Sequence, residues 1–460
     1  MKIFNVILLL LVQFSLIGQI SYNIDFLDNW NNDTLTANSS QVRYNDCWGF
    51  ELENQEYAIA GSTEGIHFFK LTNENKLYHV DFIEGHFNDM SVIHRDIKTY
   101  QKYAYAVCDE GESSLQIIDL SYLPDSVHLV GNNDSTFARV HNIFIDTLNG
   151  LLYAGGITPR ENGIIQNTIS MQIFSLSNPI NPSLIYTGPN DINEVHDMYV
   201  RNNIAYLNCG FDGLRVYDFS DISNPIFQQN INFYQDQGYN HQGWLSPNGE
   251  TYVFSDETSG KKLKKCKITS NNITIESLFG TNYENNSVPH NVMISNEFAY
   301  VAYYNEGLRI YDIRKNIPFE IAYYDTYPEN SFFNMQGAWG IYSKLPSKRI
   351  LVSDRHNGLF LLKFSENIFL NSNDNEILQI YPNPISNNDS LTLILNDENI
   401  SSFNILLFDI KGKKVFDQKV FDQSYVKIKP TLKSGIYYLY VSYIDYKEEL
   451  ISIGKKIILN

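Results

Sequence analysis

A chain of 460 residues is too long for one ordinary domain and suits a large repeat domain followed by a smaller one. Its 32 Tyr and 28 Phe, beside many Ile and Asn, favour strands and turns over helices. A formal net charge of −18, nearly all of it before residue 370, argues against nucleic acid and anionic lipid as partners, because like charges would repel.

The first twenty residues read as a signal peptide: Lys2 supplies the positive start, and Ile7 to Ile17 is apolar but too short to span a bilayer. Cleavage is expected near Gly18, and no later apolar run is long enough to form a transmembrane segment.

From there the chain is built of repeats. Each copy has a short apolar strand, a turn, a Tyr-Ala-Tyr-Val-like strand, an acidic or Gly turn, then a Gly-Leu-Arg-Ile-Tyr-Asp-like strand. The clearest copies run Ile204-Ala205-Tyr206-Leu207 with Leu214-Arg215-Val216-Tyr217-Asp218, and Phe298-Ala299-Tyr300-Val301 with Leu308-Arg309-Ile310-Tyr311-Asp312. One marker residue opens each copy: Trp48, His94, His141, His196, His241, His290 and Trp339, spaced 45 to 55 residues apart. That spacing is one four-stranded blade, and seven copies predict an all-β fold, a seven-bladed β-propeller over residues 21–370. Ring closure is expected from the segment Ile24 to Leu35, serving as the outer strand of blade seven. Cys108 and Cys209 occupy equivalent strands of non-adjacent blades, beyond a disulfide's reach, so these and Cys47 and Cys266 are expected as free buried thiols.

With the blades aligned, the chain resembles the LVIVD-repeat propellers, and more closely the choice-of-anchor B family. The resemblance rests on Asn45-Asp46-Cys47-Trp48-Gly49, Val195-His196-Asp197, His241-Gln242-Gly243-Trp244, Ser255-Asp256-Glu257, His290-Asn291-Val292 and Gly337-Ala338-Trp339-Gly340, across residues 40 to 365. It implies a propeller ectodomain and brings no settled activity.

After a polar linker at 371–376, residues 377–460 alternate strands and Gly or Asn turns, as a small C-terminal β-sandwich does. They resemble the type A sorting domain of the type IX secretion system of Bacteroidetes, through Tyr381-Pro382-Asn383-Pro384, the turn at Gly412 and the strand start at Gly435. The resemblance implies the type IX machinery as partner and a secreted or outer-membrane-surface location.

Five of the ten histidines stand in one register, at the start of each innermost strand, where the blades converge on the channel mouth. Trp48, His94, His141, His196, His241, Trp244, His290 and Trp339 are therefore the candidate ligand-binding residues, with Trp244, Trp339 and Tyr342 as an aromatic floor. Neutral imidazoles there suit a divalent transition metal, with His196, His241, His290, Asp256 and Glu257 as the candidate ligands and Asp197 as a further carboxylate. Two other readings stay open: hydrogen bonds between blades, repeated because the repeat was duplicated, and a metal-free ligand site. Asp354 and Asp256-Glu257 are short of a calcium shell. Arg215 and Arg309 are expected to pair between blades, and the run Lys261-Lys262-Leu263-Lys264-Lys265-Cys266-Lys267 to form a solvated edge of blade five. No phosphate loop, nucleophile elbow, HExxH or paired CxxC is present. The leading expectation is a surface binding module for a glycan or protein; a metal-dependent enzyme with a histidine-lined site is the alternative.

Overall fold

The computed structural model describes residues 21–460, apart from 134–136, 270–271, 282–285, 329–334, 365–377, 382, 386–389, 396–401, 422–424, 430, 445–449 and 460. The signal peptide at 1–20, the linker at 371–376 and Pro382 lie outside the described residues.

Seven antiparallel sheets are built between Ser21 and Phe364, each running in chain order from an inner strand outward, with the outermost strands of the sixth and seventh supplied by the N-terminal end. The inner strands are Tyr44–Leu52, Arg95–Tyr100, Phe137–Asp146, Asp197–Arg201, Asn240–Leu245, Val292–Ser295 and Ala338–Tyr342. Each inner strand touches the next around a ring, and the last, Ala338–Tyr342, touches the first, Tyr44–Leu52. The expected seven-bladed propeller is the fold.

Period-two patterning explains the stacking of blades. In blade one Ile59 and Phe68 turn one way into a cluster with Ile97, Ala104 and Ile118 of blade two. Their neighbours Ala58, Ala60 and Phe69 turn the other way, against Leu351, Leu359 and Leu361 of blade seven. These side chains are at most 1% exposed, and burying each large one contributes on the order of 1.5–3 kcal/mol.

Closure comes from the N-terminal end. Ile24–Trp30 pairs with Gly358–Phe364 as the outer strand of blade seven, in the register Ile24↔Phe364 to Trp30↔Leu359. Just before it, Ser21–Tyr22 adds an outer strand to blade six through Tyr323 and Tyr324. Trp30 packs on Tyr44, His67, Phe69 and His79, and the seam with blade one carries a buried Arg349–Glu56 ion pair at 2.7 Å.

Two local expectations are corrected. The lysine-rich segment is the third strand of blade five, Leu263–Thr269, not an edge, and Lys264 is fully buried with its Nζ 2.7 Å from Asp256. Arg309 pairs with Glu306 and Glu320 of its own blade, while Arg215 meets Asp191 in the preceding loop. Cys47, Cys108, Cys209 and Cys266 are buried free thiols on blades one, two, four and five.

The C-terminal unit has a three-stranded sheet, Leu378–Tyr381, Leu391–Leu395 and Tyr425–Ile428, and a four-stranded sheet, Lys414–Phe421, Ser402–Asp409, Gly435–Ile444 and Leu450–Leu459. Both sheets contribute to one apolar cluster around Leu391, Leu393, Ile405, Leu439 and Ile457. Gly412 takes φ +78° in the turn capped by Asp409, whose side chain accepts from the Lys411 and Lys413 amides. Asn383 clamps the last strand from both sides: its Nδ2 donates to Lys456 O at 2.7 Å and its Oδ1 accepts from Ile458 N at 2.9 Å.

Trp30→Ala is expected to destabilise the propeller by about 3 kcal/mol, since Trp truncations in packed sites cost about 3–5 kcal/mol and Trp30 is half-buried; chemical denaturation measures it. Asn383→Leu removes both of these solvent-exposed hydrogen bonds and should lower the C-terminal unit's stability by about 0.5–1.5 kcal/mol. Proteolysis of the tail before and after the change reads that loss.

Candidate functional site: an imidazole ring around the propeller axis

The marker register places its side chains at local irregularities of the inner strands. In blades five and seven the pairing shifts at the marker itself, between Asn240 and Gln242 and between Ala338 and Gly340. Such bulges re-aim a side chain, and here they turn His241 and Trp339 toward their neighbours. In blade three, Gly156 stands opposite His141 at φ +56°, and a Cβ there would lie 2.9 Å from the His141 Cβ.

The result is a closed ring of six aromatic groups. Consecutive centroids are 5.2 Å (His94–His141), 4.1 Å (His141–His196), 4.4 Å (His196–His241), 4.3 Å (His241–His290), 4.3 Å (His290–Trp339) and 5.3 Å (Trp339–His94). Blade one is skipped. Its bulge between Tyr44 and Cys47 brings Asn45 to this level, tucked against Gly61, where a Cβ would meet the Asn45 Oδ1 at 2.1 Å. With so small a contribution from blade one, Trp339 reaches His94 directly.

Four imidazoles share one hydrogen-bond polarity. His94 Nδ1 lies 2.5 Å from Glu110, His141 Nδ1 2.8 Å from Asp109, His196 Nδ1 3.3 Å from the His241 carbonyl, and His290 Nδ1 2.7 Å from the Trp339 carbonyl. Every one of these partners is an acceptor, so each Nδ1 carries a proton, and in the neutral rings of His196 and His290 the Nε2 keeps its lone pair. The exception is His241, whose Nδ1 is buried without a partner. The His290 carbonyl, the counterpart of the acceptor that His196 uses, already accepts from Ser255 Oγ. Burial and neighbouring imidazoles hold His196 and His241 well below the usual histidine value, and burial brings His290 to about 3. These rings are neutral near pH 7. Burial alone would lower His141, but its bond to Asp109 outweighs that and leaves it raised.

Glu257 faces the ring from the end of the second strand of blade five. Its carboxylate lies 3.8 Å from His241 Nε2 and 3.8 Å from His290 Nε2, and it accepts a short hydrogen bond from Tyr304 Oη. Burial pushes its carboxyl up. Arg355 stacks on Trp339 at 4.6 Å. At the rim Tyr239 is edge-on to His196, donates to Glu194 at 2.6 Å, and touches Phe211, which is 75% exposed. Asp109, Glu110, Glu257, Tyr304 and Arg355 occupy equivalent places just beyond the second strand of their blades. That second register, apart from Glu257, was missed; aligning the second-strand ends as well as the markers reveals it.

Several candidates lie elsewhere. Trp48 and Trp244 are three residues beyond the bulges, roughly 10 Å farther along the inner strands. Trp48 packs edge-on to Tyr342 and donates to Thr99, while Trp244 packs on Tyr199 under Lys344. The aromatic floor is thus divided between levels, with Trp339 alone in the ring. Asp256 is fully buried and bound by Lys264, Tyr234 and the Gly238 amide, which leaves it no part beside the imidazoles. Asp354 caps the following turn by accepting from the His356 and Asn357 amides. Asp197 lies one level beyond the ring and accepts from Asn142 at 2.9 Å.

That next level encloses a cavity of ≈ 40 Å³ bordered by Asp46, Lys98, Asn142, Asp197, Gln242 and Asn291. Lys98 contacts Asp96 and stands 3.9 Å from Asp46. Burial alone would lower Lys98, but the two aspartates outweigh it and raise it. Burial, with Asp96 nearby, pushes Asp197 up to about 8, and burial holds Asp46 well above the carboxylate range.

Residues 379–460 match the family described as the secretion system C-terminal sorting domain. The protein is therefore a seven-bladed propeller with a type IX sorting domain, secreted to the cell surface or beyond. No curated protein matches the chain. Among solved structures, the computationally designed Ika8 protein is similar over 72% of this chain and 99% of its own, at 8% identity and a TM-score of 0.44. A protein from Lactobacillus plantarum is similar over 84% and 99%, at 13% identity and a TM-score of 0.48. The propeller assignment rests on the strand pairing above. Among the described residues no helix is long and apolar enough to cross a membrane.

Lys98→Met leaves the buried Asp96 carboxylate without the cation it contacts and should cost about 3–5 kcal/mol in equilibrium denaturation. Adding Asp96→Asn should recover part of that loss.

Proposed function

We propose that this protein is a cell-surface or released binding module of the LVIVD-repeat, choice-of-anchor B type, which holds a glycan at the imidazole ring. The leader at 1–20 would be removed on export, and the segment from 377 would serve the type IX machinery. The observation that carries the reading is the common polarity of the ring: Nδ1 of four imidazoles is occupied by acceptors, which leaves Nε2 of the neutral His196 and His290 to accept. With Asp109, Glu110 and Glu194 near it, the mouth offers many acceptors and suits a ligand rich in hydroxyl donors. Tyr239 and the exposed Phe211 add apolar faces against which a sugar ring can lie. The long phrases shared in order with the choice-of-anchor B propellers support the family assignment.

A second reading, a metal-dependent enzyme, is favoured by one observation. His241, Glu257 and His290 bring potential ligand atoms within 4.8 Å of one another. His196 adjoins this group through His241, and Asp256 is excluded by its ion pair with Lys264.

The glycan reading is tested by presenting the full chain to a panel of immobilised oligosaccharides. Binding is expected from the wild type and at least tenfold weaker from Tyr239→Ala and His141→Ala, with unchanged melting temperatures. Equal binding by those variants, or no binding to any member of the panel, overturns it.

A further inference from the structure

We propose that His241, His290 and Glu257 form a binding centre for a divalent transition metal of the zinc, iron or manganese class. Among the described residues they are the one group of three side chains whose ligand atoms converge, all within 4.8 Å. Two imidazole nitrogens and a carboxylate are a donor set for such a metal rather than for calcium or magnesium, which take oxygen shells.

Three further observations single out this side of the ring. First, Glu257 meets the imidazoles on their inner nitrogen, 3.8 Å from both Nε2 atoms, a distance too long for a hydrogen bond. Asp109 and Glu110 instead occupy the outer Nδ1 of His141 and His94. An acid on the outer nitrogen orients a ring; an acid facing two inner nitrogens leaves a gap between lone pairs. Secondly, His290 Nε2 is buried and has no hydrogen-bond partner, although its residue is only 2% exposed. A buried polar atom left alone costs about 1–3 kcal/mol unless something fills the place. Thirdly, the supporting groups are in place: Trp339 O fixes the His290 tautomer through Nδ1, and Tyr304 donates to Glu257.

With metal–ligand bonds of about 2.0–2.2 Å, tetrahedral donors stand roughly 3.4 Å apart, so binding draws the three groups inward by about 1 Å or less. Rotation of the Glu257 carboxylate and of the His241 ring supplies that movement, since His241 Nδ1 has no partner to lose. The remaining positions on the metal face the ring, where His196 or a ligand oxygen completes the shell. Arg355 acts on Glu257 through space but makes no ion pair with it, so it opposes the metal only at a distance.

This inference deepens the glycan reading, because the metal would be a point of attachment for ligand hydroxyls. Its test reads metal alone, so the two can fail separately. The full chain, stripped with chelator and dialysed, is titrated with Zn²⁺ by calorimetry and with Co²⁺ by visible absorption. One equivalent is expected, with a Co²⁺ spectrum showing nitrogen and oxygen ligation. Glu257→Gln and His290→Gln should each weaken binding at least about 100-fold, since even losses of outer supporting groups cost 10–100-fold. Removing the exposed His86 and the His128 stacked on Tyr122 should leave affinity unchanged. Glu257→Gln keeps an acceptor for Tyr304 and carries the test if His290→Gln fails to fold. No Zn²⁺ binding by the wild type, or equal binding by a folded Glu257→Gln variant, overturns the proposal.

Discussion

The structure depends on one antiparallel pairing between residues more than 300 positions apart in sequence. Ile24–Trp30 completes blade seven along Gly358–Phe364, and this strand joins the first part of the propeller to its last. A propeller blade has one face toward each neighbour, so an open ring would leave two apolar faces in water at the seam. In blade one these are the Ala58, Ala60 and Phe69 faces; in blade seven they are Leu351, Leu359 and Leu361. The buried Arg349–Glu56 pair lies across the same seam. It fixes alignment more than it adds stability, because two desolvated charges recover little beyond their solvation cost.

Closure also sets the distance between inner strands, and that distance makes the imidazole ring possible. Adjacent rings stand 4.1 to 5.3 Å apart, within aromatic contact. Seven such groups would need a wider circle. Asn45 in blade one relieves that crowding, and Gly61 gives it room. The level beyond the ring obeys the same limit: a Cβ on Gly340 would meet the Asp46 Oδ1 at 2.2 Å. Small residues at one blade thus admit charged ones from the next.

Much of this was legible in the sequence because it is periodic. The seven copies, the marker register and the closing segment all follow from spacing and alternation, and the closing strand ends at Trp30 within the range anticipated. What periodicity could not show was where the repeat is interrupted. Trp48 looks like the blade-one marker because it is aromatic and precedes a Tyr-Ala-Ile-Ala strand, yet the bulge after Tyr44 displaces it by three residues. Asp256 and Glu257 are adjacent in sequence but separate in chemistry. Asp256 ends a strand and faces Lys264, whereas Glu257, one residue later, turns to the axis. The lysine run misled for a related reason. Charge count suggested a solvated edge, while the strand lies inside its sheet and buries Lys264 against Asp256 of the neighbouring strand.

Duplication of one ancestral blade is enough to explain five histidines in one register. It does not by itself explain their shared polarity. The acceptors that hold the Nδ1 protons differ in kind and in origin: Glu110 comes from the same blade as His94, Asp109 from the blade before His141, and backbone carbonyls from the blades after His196 and His290. A purely inherited packing device would repeat one partner. Different partners that impose the same tautomer instead point to a constraint on the opposite nitrogen. Where the pattern breaks, at His241, the Nδ1 acceptor is missing and Glu257 stands on the Nε2 side. The chemistry of the ring is therefore uneven: Nδ1 protons held by acceptors over most of its circumference, and a concentrated set of donors to a cation between blades five and six.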